Sequence, residues 1–457
     1  MHKTTLKIGF RSIRESMHPL QKVILSFIAL ILAGSGLLMI PISTTHGISF
    51  VDALFTSTSA VCVTGLTVLD TANDFTLFGK IVIVLLIQFG GLGIMTFSIA
   101  ILSFMGGNYS MKWRFTFESM YSEGNRIPIR SLLKRILLYT AFIELATACV
   151  LFTRFIRKFP PVDAIGHALF HSVSAFCNAG FSTFSDNLMG YSSDYIVTGA
   201  VSLDVILGGL GFLVLSEMAR TRHNKGKNLF MQYSLHTRIV LIMTAVLLVY
   251  GTLTILALEW NYVLRDFTVA EKIMNAFFQS MTCRTAGFNT IDIGALRGST
   301  LFAMVSLMFI GGSPGSIAGG VKTTTIAVVL GVVISRISKK SQVVFWERAL
   351  DSDTINGSMT LIILAGLFVS FATFVLLFTY SFDIHHTFIT GLFEVTSAFG
   401  TVGLSTGITA KLHDLGKLLL VVVMFVGRLG PFALIAGLTT GRSEQHLEYP
   451  EEHIMIG

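Results

Sequence analysis

The chain has 457 residues, of which 52% are hydrophobic and only 13% are charged, and its formal net charge is +7. Soluble globular proteins carry roughly 25% charged residues, so this composition excludes a soluble protein and predicts one that lies in a bilayer. Four cysteines are too few for a disulfide framework, and because they include no CxxC pair they give no sign of zinc or redox chemistry. We attribute the positive charge to short loops beside membrane spans, not to nucleic-acid binding.

Long and short apolar runs alternate along the chain. A spanning helix needs roughly 20 apolar residues, and lengths well below that are typical of re-entrant segments. The pattern therefore predicts a span, a half-helix, a glycine turn and a second span, repeated four times. The long runs are 20–40, 79–105, 133–153, 194–219, 236–258, 299–335, 359–380 and 414–440. The short runs are 50–61, 165–177, 271–283 and 388–399.

The basic residues predict the orientation of these spans. Lys and Arg are concentrated before the first span and in the loops between repeats, so both termini are expected on the cytoplasmic side of the plasma membrane. The half-helix side carries more acidic residues and is expected to concentrate cations. The predicted segments are a cytoplasmic N-terminal segment 1–19, repeats 20–110, 111–222, 223–345 and 346–441, and a cytoplasmic tail 442–457.

A glycine follows each half-helix, ten residues after a phenylalanine. A half-helix directs the partial negative charge of its C-terminal end toward the membrane centre, and glycine accepts backbone angles closed to other residues. Rings of backbone carbonyls bind K⁺ in potassium filters. Four glycines in register favour such a filter over simple helix packing. The predicted ion-binding residues are Val63, Thr64, Gly65, Asn178, Ala179, Gly180, Thr285, Ala286, Gly287, Thr401, Val402 and Gly403.

The last span of the third repeat is interrupted by glycines, serines and a proline. Each glycine costs about 1 kcal/mol and the proline about 3 kcal/mol in a helix interior relative to alanine, so the span is expected to break around a flexible gate. Val321 separates the last glycine from Lys322, and no strand precedes the segment, which argues against a phosphate-binding loop. The predicted gate residues are Gly311, Gly312, Ser313, Pro314, Gly315, Ser316, Gly319, Gly320 and Lys322.

Arg428 occupies the position that glycine holds in the other three repeats. An arginine inside an apolar span is costly unless it is paired or functional. Two interpretations stay open: a fixed positive charge that limits cation flux, and a structural ion pair with Glu394. Arg284 is expected to brace its turn from behind. His167 and His171 have no third metal ligand nearby, so a polar contact is expected there.

From about residue 20 to 440, the turns and the glycine-rich segments after them resemble the Trk/Ktr/HKT superfamily of potassium transporters, and within it the bacterial Ktr membrane subunits of the KtrB or KtrD type. The resemblance implies an all-α polytopic protein with eight transmembrane helices and four re-entrant pore helices around a pseudo-fourfold pore. It implies potassium uptake and no enzyme activity. Gly65 is expected to favour potassium, since plant relatives with serine there transport sodium. The superfamily also has an intramembrane gate loop matching 311–320, and an arginine at the place of Arg428.

The same resemblance implies partners. They are a second copy of the chain, forming a homodimer with one pore in each subunit, and a cytosolic octameric ring of the KtrA or KtrC type that binds ATP or ADP. No cofactor is expected in this chain, and potassium is its substrate. The basic loops are expected near membrane lipid, and 454–457 at the dimer contact. One alternative is a sodium- or proton-coupled potassium symporter, for which Glu144 and Glu394 are weak candidates. Another is a non-transporting membrane scaffold or enzyme whose turns are purely structural.

Overall fold

A computed structural model describes residues 19–105, 129–221, 229–379 and 388–430. The architecture is almost entirely helical, which confirms the predicted all-α class. The expected cytoplasmic tail 442–457, with its proposed dimer contact, lies outside the described residues, as does nearly all of the N-terminal segment 1–19.

The helices in chain order are α1 Pro19–Leu38, α2 Phe50–Val61, α3 Leu77–Met105, α4 Ile129–Phe155, α5 Pro161–Phe176, α6 Tyr195–Leu210, α7 Phe212–Thr221, α8 Leu229–Gln232, α9 Leu235–Glu259, α10 Val269–Thr282, α11 Gly298–Phe309, α12 Thr323–Ile337, α13 Ser352–Thr379, α14 Phe388–Gly400 and α15 Asp414–Leu429. Two single 3₁₀ turns cover Met189–Tyr191 and Thr409–Lys411. A small hairpin pairs β1, Val344–Phe345, with β2, Arg348–Ala349.

Within the described residues, four helices are long and apolar enough to cross a membrane, namely α1, α4, α9 and α13. The bent pair α6 and α7 makes a fifth if it is taken as one span. These helices are consistent with a multi-pass membrane protein. The other predicted spans, at α3, at α11 with α12, and at α15, do not reach that criterion in the part of the chain described, so the total of eight stays a prediction.

The four short runs form the short helices α2, α5, α10 and α14, close to their predicted bounds. Their sequences fix where they begin. Ser49 caps α2 by accepting from the Asp52 amide, and Thr268 forms a reciprocal capping box with Glu271 at the start of α10. Helix α2 has 12 residues, which corresponds to about 18 Å, or little more than half of a hydrocarbon core.

The glycine-rich segments after the turns let the second helix of a repeat approach its half-helix closely. A Cβ on Gly90, Gly208 or Gly427 would collide with a backbone carbonyl at the C-terminal end of the half-helix. These carbonyls belong to Val61, Phe176 and Phe399, respectively. The equivalent glycine of the third repeat, Gly311, faces the Gly319 carbonyl of its own loop instead. Glycine recurs there because the backbones touch.

The last repeat packs against the first. The Lys417 ammonium lies 2.6 Å from the Asp52 carboxylate, and this ion pair joins α15 to the first turn of α2 across 365 residues of sequence. Residues of both helices also share the largest hydrophobic cluster, among them Ala60 and Val423. The chain is therefore closed on itself around the half-helices.

The second repeat corrects one prediction. The run 194–219 was expected to be a single span, but α6 ends at Leu210 and α7 leaves it at an angle of 99°. Gly211 lies between them with φ +89°, in the left-handed region that favours glycine. The predicted break in the third repeat is present, between Phe309 and Thr323.

Candidate functional site: a ring of four glycine turns

The four predicted turns share one backbone conformation. In each, the first residue and the glycine two places later have positive φ. Such alternation aligns successive N–H groups on one side of the chain and carbonyl groups on the other. The φ values are +53° and +93° at Val63 and Gly65, +56° and +68° at Asn178 and Gly180, +70° and +77° at Thr285 and Gly287, and +50° and +90° at Thr401 and Gly403.

The four glycines contact one another in a closed cycle. A Cβ on Gly65 would strike the Ala179 carbonyl oxygen, and one on Gly403 would strike that of Thr64. A Cβ on Gly180 would lie 2.7 Å from the Gly287 Cα. One on Gly287 would lie 2.5 Å from the Val402 carbonyl oxygen. Each turn therefore packs on the next, and the fourth returns to the first. We call these twelve residues the glycine ring.

The half-helices hold the N–H side of the turns. The Thr64 amide donates to the Ser59 carbonyl oxygen at 2.8 Å, and the Gly65 amide donates to the Ser59 hydroxyl at 3.0 Å. The fourth turn repeats this arrangement on Ser397, at 2.8 and 3.1 Å. Because these N–H groups are occupied by the half-helix, the carbonyls of the turns are left on the side that faces the neighbouring turns.

A cavity of about 430 Å³ opens above the glycine ring, on the side predicted to be outermost. All four ring glycines line it, together with Asp70, Asp186 and Asp292. Its lining includes no Lys or Arg among the described residues. Carboxylates that line a cavity attract cations and raise their local concentration, which agrees with the charge expected from the sequence.

The segment 310–322 of the third repeat lies against the other side of the ring. A Cβ on Gly319 would come within 2.8 Å of the Thr401 methyl carbon, and one on Gly320 within 3.3 Å of the Gly400 Cα. Within the segment, the Lys322 ammonium donates to the Ala318 carbonyl oxygen at 2.7 Å, and the Ser316 hydroxyl donates to that of Ser313 at 2.6 Å. We call this segment the 310–322 loop.

The loop is also bonded to the bend in the second repeat. The Ser313 amide donates to the Gly209 carbonyl oxygen at 3.1 Å, and the Phe212 amide donates to that of Gly315 at 3.2 Å. A Cβ on Gly211 would lie 2.9 Å from the Pro314 carbonyl oxygen. The interruptions of two different repeats therefore form one hydrogen-bonded unit beneath the ring.

Arg428 bridges this unit to the first repeat. Its guanidinium donates to the Ile317 carbonyl oxygen of the loop, and to the Gly90 carbonyl oxygen at 3.1 Å. The Glu394 carboxylate instead accepts from the Ser405 hydroxyl, the Thr406 amide and the Thr409 hydroxyl, at 2.5 to 2.9 Å. An Arg428–Glu394 ion pair, one of the two interpretations left open, is therefore wrong, because each group already has other partners.

The other residues named from the sequence are His167, His171 and Arg284, and the two histidines make polar contacts as expected. The His171 ring lies 2.9 Å from the Ser182 hydroxyl, and the His167 ring lies 2.6 Å from the Thr183 hydroxyl. The described residues contain no cluster of three metal-ligating side chains. Arg284 directly precedes the third turn in sequence and is 8% exposed.

Sequence analysis missed two acidic residues. Asp204 lies fully buried in α6, and its signal, an acidic residue within the apolar run 194–219, was available. Glu217 on α7 accepts from the Ser234 amide at 2.6 Å and from the Thr237 hydroxyl at 2.5 Å, which ties the bent segment to the start of α9. Glu217 carries the same signal, because it also lies within the run 194–219.

Residues 6–440 match the model of the family TrkH, described as a cation transport protein. The chain is 36% identical to the Ktr system potassium uptake protein B of Bacillus subtilis, over 96% of this chain and 97% of that one. It is 34% identical to the Ktr system potassium uptake protein D of the same organism, over 99% and 100%.

The crystal structure of the potassium transporter TrkH from Vibrio parahaemolyticus superposes with a TM-score of 0.72 at 22% identity, over 92% of this chain and 84% of that one, and so has the same fold. The predicted resemblance and the expectation of a transporter in place of an enzyme are both confirmed. The chain belongs to the TrkH family of cation transport proteins.

Proposed function

We propose that the protein takes up potassium through the glycine ring, whose carbonyl oxygens replace the hydration shell of the ion. The observation that carries this proposal is the closed cycle of four turns with the same alternating backbone conformation. A structural role for glycine would require close packing at each turn, but not four turns that contact each other in order.

Two further observations support potassium as the ion. The curated relatives of the Ktr system are named potassium uptake proteins. The first turn has Gly65 with φ +93°, a conformation that serine would adopt only with strain. A change there would alter the spacing of the carbonyls on which selection depends. Uptake would be driven by the membrane potential, which contributes about 2.3 kcal/mol per charge for each 100 mV.

The 310–322 loop acts as the gate in this proposal. It lies against Gly400 and Thr401, where the fourth turn begins, and it is bonded to the α6–α7 bend and to Arg428. Hydrogen bonds to the second and fourth repeats would hold it across the pathway. Displacing it requires those bonds to break together, so the loop has two discrete arrangements available rather than a continuum.

We further propose the assembly that the resemblance implies: a homodimer with both termini in the cytoplasm, and an octameric KtrA- or KtrC-type ring that binds ATP or ADP and acts on the loop. The word "system" in the names of the relatives supports a protein that works with other components. A coupled symporter stays a second candidate, because Asp204 is a buried acid and Glu144 a half-buried one within predicted spans.

Rubidium uptake in a potassium-uptake-deficient bacterium tests the ring, with the cytosolic partner co-expressed. The wild type should restore growth in low potassium, and Gly65→Ser and Gly403→Ser should reduce uptake or its selection over sodium. Gly199→Ser is the matched control, because no atom lies within 4 Å of a Cβ at this helical glycine. Equal selectivity in all four proteins would contradict the proposed filter.

A further inference from the structure

The carboxyl groups of Asp204 and Glu144, on two adjacent helices, have too few hydrogen-bond donors around them. Asp204 on α6 is 0% exposed, and neither of its side-chain oxygens has a hydrogen-bond partner among the described residues. On the adjacent α4, the Glu144 Oε1 atom is also buried without a partner. The two groups are close enough to interact electrostatically. No salt bridge involving either residue is present in the described part of the chain.

The groups around the pair are polar but do not neutralise it. The Gln88 amide donates to Glu144 Oε2 at 3.4 Å, and the Gln88 carbonyl oxygen lies 3.5 Å from the Cys177 sulfur. The Thr147 hydroxyl approaches Asp204 without reaching hydrogen-bond geometry. Arg428 lies near Cys177, but its guanidinium is bonded to two backbone carbonyls. The donor atoms available to three carboxylate oxygens are therefore too few.

Two other buried carboxyl groups of the same chain do have hydrogen-bond donors. Glu259 is 0% exposed, yet it accepts from the Thr300 hydroxyl at 2.5 Å and from the Arg297 amide at 3.1 Å. Glu394, also 0% exposed, accepts from three hydroxyls and an amide. Burial alone thus does not explain why Glu144 and Asp204 lack hydrogen-bond donors.

A buried carboxylate without donors or a counter-ion is unfavourable by several kcal/mol. When two such groups interact electrostatically, the negative charge of one disfavours ionisation of the other, so at least one of them retains a proton. Acidic residues inside membrane helices are therefore functional-site candidates. We propose that Glu144 and Asp204 form a proton-binding site inside the membrane, and that potassium uptake responds to its protonation. The second half of this proposal rests on the proposed function.

Short polar contacts connect the helix that carries Asp204 to the glycine ring and to the 310–322 loop. The Asn178 side-chain amide of the second turn lies 3.2 Å from the carbonyl oxygen of Val205, the residue after Asp204. One turn further along α6, the Gly208 carbonyl oxygen accepts from the Ile317 amide of the 310–322 loop at 3.5 Å. The Ser172 hydroxyl of α5 donates to the Glu144 carbonyl oxygen. Release of a proton adds a negative charge to this wall, which attracts cations, so uptake should rise with pH.

Infrared spectroscopy of the purified full-length protein in lipid tests the binding site without relying on transport. The wild type should show a protonated-carboxyl band at neutral pH that is reduced in Asp204→Asn and in Glu144→Gln. Glu259→Gln is the matched control and should leave the band unchanged, since the Glu259 carboxylate has donors. A band that neither variant reduces would overturn the proposal. Loss of the band on adding sodium at constant pH would identify sodium as the occupant, and would also overturn it.

Rubidium uptake measured across a pH series tests the coupling. The wild type should take up more rubidium as the pH rises, and the double variant Asp204→Asn with Glu144→Gln should give a flat profile. An unchanged profile in the double variant would overturn the coupling. If the wild type itself takes up no rubidium, the proposed function fails, while the infrared result still decides whether the proton site exists.

Discussion

The second and third repeats each contain an interrupted helix, and the two interruptions are built differently. In the third repeat, 310–322 carries five glycines and a proline, and it leaves the helical path over its whole length. In the second, one residue, Gly211, turns the chain by 99° between α6 and α7. The long interruption would be irregular in almost any surroundings, whereas the short one depends on its neighbour.

The hydrogen bonds explain the difference. The amides and carbonyls freed by the α6–α7 bend are those that bind the loop: the Gly209 carbonyl accepts from Ser313, and the Phe212 amide donates to Gly315. A helix bends where its lost internal hydrogen bonds are replaced. The α6–α7 bend is therefore the binding site for the 310–322 loop, and a change in either segment should affect the other.

Deleting 313–318 should have the largest effect on this pairing. The deletion removes the loop residues that bind the bend and Arg428, so rubidium flux should rise, and control by the proposed nucleotide-binding partner should weaken. Flux assays in proteoliposomes measure the change, and adding Gly403→Ser should reduce the flux again if it passes through the ring. A closed deletion variant would contradict a blocking loop.

Gly211→Ala should act on the pairing from the other side. The φ of +89° imposes a strain of roughly 1–2 kcal/mol on a non-glycine residue, and the new Cβ would press on the Pro314 carbonyl. Gly315→Ala is its control, since its φ is +72° but the nearest atom to its Cβ lies at 3.7 Å. Rubidium flux should rise more in Gly211→Ala than in Gly315→Ala. Equal flux in the two variants would contradict the proposal that the bend binds the loop.

Arg428→Gln should have a smaller effect, because the contacts of the loop with the bend remain. Each hydrogen bond from the guanidinium contributes about 2 kcal/mol, and glutamine cannot bridge the Ile317 and Gly90 carbonyls together. Rubidium flux should increase. Arg428→Lys keeps the charge without the planar fork, so a lysine variant with wild-type flux would show that charge matters and the bridge does not.

Glu217→Gln should have the smallest effect. The substitution replaces one carboxylate oxygen, an acceptor, with an NH₂ donor that faces the Ser234 and Thr237 donors. The lost hydrogen bond lowers the free energy of unfolding by about 1 kcal/mol. A thermal melt should detect a modest loss of stability, with flux nearly unchanged. Glu347→Gln, at an exposed site in the β1–β2 turn, serves as control. A large rise in flux would mean that α7 controls the loop more tightly than its position indicates.

The half-helices and their turns could be predicted because the same pattern occurs four times, so each copy supports the others. The bend at Gly211 could not, since the first repeat has the same Gly-Gly-Leu-Gly sequence at 90–93 and there it lies within the single helix α3. The partners of Arg428 lie 111 and 338 residues away and are backbone carbonyls, which carry no sequence signal. Asp204 was visible in the sequence, but its missing donors required coordinates.

The ion pair between Lys417 and Asp52 has a consequence for how the protein is made. The first half-helix leaves the ribosome long before its partner on α15, which follows 365 residues later. Until then, the first turn has only one of its two neighbours, and the wall that Thr64 and Gly403 complete is open. Synthesis of a late segment that must reach back to an early one delays assembly. A chain truncated before the last repeat therefore leaves the ring incomplete.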